Sequence, residues 1–219
     1  MKKEQLVIPV GILLVVAFAV GTFAFRGKQA EELAFMARDN ADTFVRPHSR
    51  TFGAEDAKVY LVEFTDPACE TCAAFHPFTR HLVDQHPGKI KVVLRYAPFH
   101  GGSENVVRML EAAGRQADYW TTLELVLSTQ AQWTSNHQVM PEQLLPILAQ
   151  AGLDMERLQA DMNDPAITQI IGQDLADAEA LGVQKTPGFF VNGKPLVTFG
   201  YETLQQLVEA EVRAQYPGN

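Results

Sequence analysis

The 219-residue sequence predicts an α/β fold with an inserted helical domain, preceded by an N-terminal transmembrane helix. Three observations carry this. Residues 58–99 read as strand, helix, strand; residues 103–182 read as helix after helix; residues 186–216 return to two strands and a closing helix. Two strands joined through one helix should lie parallel, with a right-handed crossover.

The N-terminal run LVIPVGILLVVAFAVGTFAF, residues 6–25, holds 20 residues and no charge. At about 1.5 Å per residue a helix of this length reaches roughly 30 Å, the hydrocarbon thickness of a bilayer. Cleavable signals carry a shorter apolar region of about 7–15 residues. Residues 1–28 therefore read as an uncleaved signal anchor, a single membrane pass on an export pathway. The alternative is cleavage near Ala17-Phe18-Ala19, which would leave a soluble periplasmic protein. Lys2 and Lys3 before the span nearly balance Arg26 and Lys28 after it, so the basic count does not orient the span.

Residues 29–57 read as a linker: a short amphipathic helix over 29–46, then a loop over 47–58. KVYLVEF (58–64) is a strand rich in β-branched and aromatic residues, followed by Cys69, Cys72 and a helix to about Gln85. IKVVLRYAPF (90–99) is the next apolar strand, closing the first part of the fold at residue 102. The inserted domain, 103–182, divides into five helical stretches at Gly, Pro, Asn and Asp boundaries. The second part, 183–219, places two strands around an Asn192-Gly193 turn and ends in the helix YETLQQLVEAEVRAQY. There is no internal repeat and no low-complexity tract.

The chain carries a net charge of −8. Without residues 1–28 the balance is 14 basic against 25 acidic residues, or −11. A body this acidic, lacking a basic cluster, excludes nucleic acid as an expected partner.

Cys69 and Cys72 are the only cysteines, three positions apart. Haem attachment needs a histidine directly after the pair, and Ala73 stands there. A structural zinc site needs four ligands. His76, one helical turn beyond Cys72, could complete a three-ligand copper(I) or zinc site, whereas His81 faces the other way. A structural disulfide across so short a loop restricts the unfolded chain little. A redox pair accounts for more of the surroundings. Cys69 follows a strand and begins a helix, where amide N–H groups and the dipole stabilise a thiolate. Cys72, one turn further in, is placed to attack a mixed disulfide formed at Cys69. Alternation in VYLVEF sets Glu63 on one face with Val59 and Leu61, so it should be partly buried. Burial raises a carboxyl pKa and would suit a proton relay. A carboxylate at a strand edge, reaching water, is the plainer reading.

These residues resemble the DsbA-like branch of the thioredoxin superfamily. LVEFTDPACETCAAFHPF is similar to its active-site segment: a strand ending in Glu-Phe, a Cys-x-x-Cys, and a helix interrupted by proline, here Pro77. The likeness continues in LRYAPFHGGSENVVRMLEAAGRQADYWTTLELVLSTQ and ends in GVQKTPGFFVNGKPL, like the loop whose cis-proline faces the cysteines. It spans about residues 48–216. The resemblance implies a thioredoxin-like fold, attack by Cys69, resolution by Cys72, Glu63 as the acid beneath the pair, and a cis Pro187 against the sulfurs. It also implies that Thr186 offers backbone groups to a bound peptide, beside Glu70 and Thr71. Two departures stand out: the dipeptide between the cysteines is Glu70-Thr71, and the chain carries the apolar N-terminal run.

The expected activity is thiol–disulfide oxidoreduction on cysteine pairs of exported proteins, with residues 6–25 in the bacterial inner membrane, the catalytic body in the periplasm and a membrane or periplasmic redox partner. It needs no cofactor beyond a Cys69–Cys72 disulfide and no metal. The competing readings are a dithiol copper carrier and a binding module with a vestigial pair. Thr71 places no positive charge beside Cys69, which forfeits a charged donor worth about 1.5–3 kcal/mol. The pair is therefore expected to oxidise less strongly than DsbA, near about −160 to −220 mV.

Overall fold

The computed structural model describes residues 13–25, 27–28, 31, 43–135 and 138–218. Residues 13–25 are helical, with Leu13, Val16, Phe18, Phe23 and Phe25 exposed. No helix among the described residues is long and apolar enough to cross a membrane. The first part of the expected anchor, 1–12, and most of the helix expected over 29–46 lie outside the described residues.

The folded body runs β1 (Arg50–Gly53), β2 (Val59–Thr65), α1 (Glu70–Gln85) and β3 (Ile90–Tyr96). Then come α2 (Ser103–Ala113), α3 (Tyr119–Ser128), α4 (Gln130–Trp133), a two-stranded hairpin of β4 (Thr134–Ser135) and β5 (Gln138–Val139), α5 (Pro141–Gln150), α6 (Met155–Asp161) and α7 (Pro165–Ala180). β6 (Gly188–Val191), β7 (Lys194–Pro195) and α8 (Tyr201–Gln215) complete it. The main sheet has the order β1-β3-β2-β6-β7. β2 and β3 pair in parallel, as their connection through α1 requires; the other neighbours are antiparallel.

β2 is the central strand and is covered on both faces, which is why it reads as an almost unbroken apolar run. Val59 and Leu61 join Phe75 and Leu82 of α1 and Leu204, Val208 and Val212 of α8. Val62 and Phe64 point the other way, to Ala178 and Leu181 at the end of α7 and to Phe44. The helical insertion has its own core around Val106, Leu110, Leu123, Trp133, Leu144 and Leu158. Asp118, Asp154 and Asp164 cap α3, α6 and α7 by accepting backbone N–H groups, which explains why those boundaries were legible. Asn192 (φ 48°) and Gly193 (φ 78°) form the expected tight turn between β6 and β7.

Two readings need correction. Arg50–Gly53, read as loop, is an edge strand antiparallel to β3. Its four residues alternate between half-buried and exposed, and main-chain pairing rather than apolar content holds it. The insertion is not purely helical: β4 and β5 interrupt it, each too short to leave a sequence pattern.

Sheet and insertion are joined by a buried ionic knot. Arg95 of β3 has no solvent exposure and lies 2.6 Å from Asp174 and 2.5 Å from Asp177, both on α7. Asp174 also accepts the Tyr96 backbone N–H at 2.8 Å and contacts His48 at 2.7 Å, while Asp177 pairs with Arg46 at 2.7 Å. The Thr43 carbonyl accepts from the guanidinium. Removing one partner of such a network leaves buried charge uncompensated. Arg95→Leu should lower unfolding free energy by about 3–5 kcal/mol, measured by urea denaturation. A loss under about 1 kcal/mol, the range of exposed ion pairs, would show that the knot is dispensable.

Candidate functional site

Parallel strands β2 and β3 end on the same side of the sheet, and the chain leaving each builds the site. From β2, Thr65 leads into Asp66-Pro67-Ala68 and then Cys69, the N-cap of α1. Cys69 is 7% exposed and Cys72 has no exposure; both are free thiols. In its thiol form Cys69 Sγ donates to the Thr186 carbonyl at 3.4 Å, and Cys72 Sγ accepts the Asp66 backbone N–H at 3.5 Å. The two sulfurs thus differ: one faces a neighbouring loop at the surface, the other is closed inside.

Their acidities diverge accordingly. A hydrogen bond from the Cys72 thiol lowers Cys69 to about 5, with help from Thr186 and from the N–H groups of Cys72 and Thr71, against the opposing effect of burial. Burial pushes Cys72 far up, and its bond to Cys69 and the Glu63 charge add to this. Cys69 is the thiolate at neutral pH and Cys72 the proton-bearing thiol.

Glu63 sits in β2, 1% exposed, between Leu94 of β3 and Phe189 of β6. It is fully buried rather than partly, because β2 is central. The edge-carboxylate reading is overturned. Burial raises it to about 7, offset in part by Thr65, and its Oε2 has no hydrogen-bond partner. An acid that titrates near neutrality with one oxygen unoccupied can take and return a proton.

The Thr186–Pro187 bond is cis, Pro187 is buried, and Thr186 is half-buried. Glu70 and Thr71 are exposed on the first turn of α1. Thr71 reaches Cys69 through its backbone N–H. Pro77 lies inside α1. The structure therefore brings Cys69, Cys72 and Thr186 together, with Glu63 coupled electrostatically to both sulfurs. His76, the possible third ligand, is buried: it is 6% exposed, its ring stacks on Trp120 with centroids 6.4 Å apart, and its Nε2 has no partner. Among the described residues no three His, Cys, Asp or Glu side chains converge to hold a metal.

Asp66 is the residue sequence reasoning missed. Its carboxylate has no exposure and accepts the Ala68 N–H at 2.9 Å, the His100 N–H at 2.8 Å and the Ser103 hydroxyl, with His100 Nδ1 at 2.7 Å. It ties the turn before Cys69 to the loop after β3. The signal was the Asp-Pro turn directly after a strand, a pattern in which the side chain bonds backbone two residues on. Gln130 of α4 supports the same turn through the Pro67 carbonyl at 2.7 Å.

The family model described as Thioredoxin matches residues 46–210. The crystal structure of a thioredoxin-like oxidoreductase from Silicibacter pomeroyi DSS-3 is similar at 30% identity, covering 80% of this chain and 98% of that one, with TM-score 0.68. A probable disulfide bond formation protein D of Bacillus anthracis is 25% identical over 78% of this chain and 82% of its own length. A relative named Na(+)/H(+) antiporter NhaA, from Herminiimonas arsenicoxydans, is 31% identical over 93% of this chain, which spans only 33% of that protein's length.

The acidities predict opposite pH profiles. Thiolate absorbance of the reduced protein should titrate with a midpoint near 5, and Cys72→Ala should move that midpoint upward. Because the folded value is depressed, the thiolate stabilises the reduced form most at high pH, and this is lost as pH falls through about 5. Glu63 has the opposite sign. Its rise from 4.5 to about 7 is a penalty of roughly 3 kcal/mol that grows between those values and is fully present above the upper one. Glu63→Gln should raise stability at pH 8 and not at pH 4. An equal effect at both pH values would remove the buried-acid account.

Proposed function

The chain belongs to the thioredoxin family, in its DsbA-like branch, and on that premise we propose that it exchanges disulfides with cysteine pairs of exported proteins through Cys69 and Cys72. The observation that carries this is the asymmetry of the two sulfurs: at a helix start, a sulfur whose thiolate is stabilised by the Cys72 thiol and by backbone N–H groups, and a buried thiol behind it.

In the reductive direction the Cys69 thiolate attacks one sulfur of a substrate disulfide. An S–S bond to Cys69 forms, the substrate S–S bond breaks, and the departing sulfur leaves as a thiolate. Cys72 then loses its proton to Glu63 and attacks Cys69 Sγ. The Cys69–Cys72 disulfide forms, and the second substrate sulfur is released and protonated. Two electrons pass to the substrate, and the oxidative direction is the same path reversed. Thr186 steadies the peptide and Pro187 closes the loop against the sulfurs, with Glu70 and Thr71 on the open side.

Residues 6–25 hold the domain to the membrane in this reading, supported by 20 uncharged residues in succession. The oxidising compartment outside the inner membrane suits disulfide traffic.

Cys69→Ser should abolish insulin reduction and peptide oxidation, whereas Cys72→Ser should accumulate mixed disulfides visible on a non-reducing gel. An active Cys69→Ser protein would end the assignment. A reporter fused after Asn219 should be active only where the chain is exported. Cys69 near 5 lies between the values of about 3.5 and 7 for DsbA and thioredoxin. The potential against glutathione should accordingly fall near about −160 to −220 mV; a value at or above about −120 mV would contradict it.

A further inference from the structure

A cleft of about 350 Å³ is lined by Phe99, Leu175, Glu179, Gly182, Val183 and Gln184. None of these residues takes part in the exchange chemistry, yet both walls are tied to it. Phe99 is 45% exposed and directly precedes His100, which Asp66 holds through the backbone N–H at 2.8 Å. Gln184 stands two residues before Thr186, whose carbonyl takes the Cys69 thiol at 3.4 Å. Two residues span at most about 7 Å. The cleft therefore begins a short peptide step from the attacking sulfur.

Its lining selects a particular shape of guest. Phe99, Leu175 and Val183 offer apolar surface, and Glu179 is the one charged residue among those lining it. Lys185 follows on the same loop, outside the lining. Apolar walls beside a carboxylate suit a side chain with an aliphatic stem and a cationic head. An exposed phenyl face adds attraction for that cation. The volume is at the low end for a small-ligand site and admits a single long side chain rather than a secondary-structure element. The acidic balance of the chain, −8 overall, also favours cationic clients on approach.

Resting on the exchange reading above, we propose that this cleft is a specificity subsite that receives an arginine or lysine of the client polypeptide, two or three positions from its reacting cysteine. The chemistry of exchange is unchanged by the subsite; the choice of client cysteine is what it governs.

Two measurements on the full chain test it. Short dithiol peptides carry Arg, Lys, Leu, Ala or Glu at each position within three of the reacting cysteine, and their oxidation by the disulfide form is followed by mass spectrometry. The same peptides with serine in place of cysteine, labelled for fluorescence anisotropy, report binding without redox chemistry. Arg should exceed Glu by about tenfold, equivalent to ~1.4 kcal/mol, at one position two or three from the cysteine and in both assays. Glu179→Gln should bring Arg down to the level of Leu, and Phe99→Ala should weaken Arg and Leu alike. Exchange with glutathione should be normal in both variants. An Arg-to-Glu ratio that Glu179→Gln leaves intact overturns the subsite, as does a preference for Leu over Arg. Loss of glutathione exchange in the unaltered protein, with the Arg preference retained in anisotropy, would sink the exchange reading and leave the subsite standing.

Discussion

A guanidinium with no access to water, that of Arg95, sits between the sheet and the helical insertion, and the geometry of the site depends on it. Asp174 and Asp177 reach it from the same helix, α7, so its position sets the register of that helix against β3. The chain leaving α7 passes through Gly182 and Val183 into the Thr186–Pro187 loop. The chain leaving β3 passes through Ala97 to His100. The Arg95 ion pairs thus stand at the root of two chain segments: the one that carries Thr186 to Cys69 and the one that carries His100 to Asp66. Arginine suits the position, because its planar fork can meet two carboxylates at once and it stays charged when buried.

The cysteine turn is held from the other side by Asp66. Its carboxylate gathers the backbone of the turn, the His100 loop and the first residue of α2 into one buried cluster. The N-terminus of α1 is therefore fixed before any substrate arrives, and its amide groups already point at Cys69. Preorganised donors cost no rearrangement when charge develops on sulfur. Glu63, deeper in the sheet, completes a gradient from the slightly exposed Cys69 sulfur to a fully buried acid.

Much of this was legible in the sequence because it rests on local rules. The strand before Cys69, the helix after it, the capped helices of the insertion and the Asn192-Gly193 turn each announce themselves within a few residues. Glu63 was legible as an acid out of place in an apolar strand. Its full burial was not, since that depends on β2 being central, a property of strand order. β1 and the β4–β5 hairpin were hidden because their pairing partners, not their composition, make them strands. The burial of His76 was hidden for a related reason: the face of α1 it occupies is covered by Trp120, a residue of the insertion 44 positions later. Asp66 and Arg95 were overlooked because a buried polar residue earns its place only through partners distant in the chain.

The two residues between the cysteines, Glu70 and Thr71, are both exposed, and their side chains cover none of the hydrophobic clusters. Thr71 meets Cys69 through its backbone N–H, which any residue but proline at that position would supply. The side chains at these two positions are for that reason free of the packing that holds the fold. Substitution at these two positions should leave a folded protein, while the scaffold that aims the sulfurs stays under unrelated constraint. A scaffold so arranged can diversify in chemistry faster than in shape.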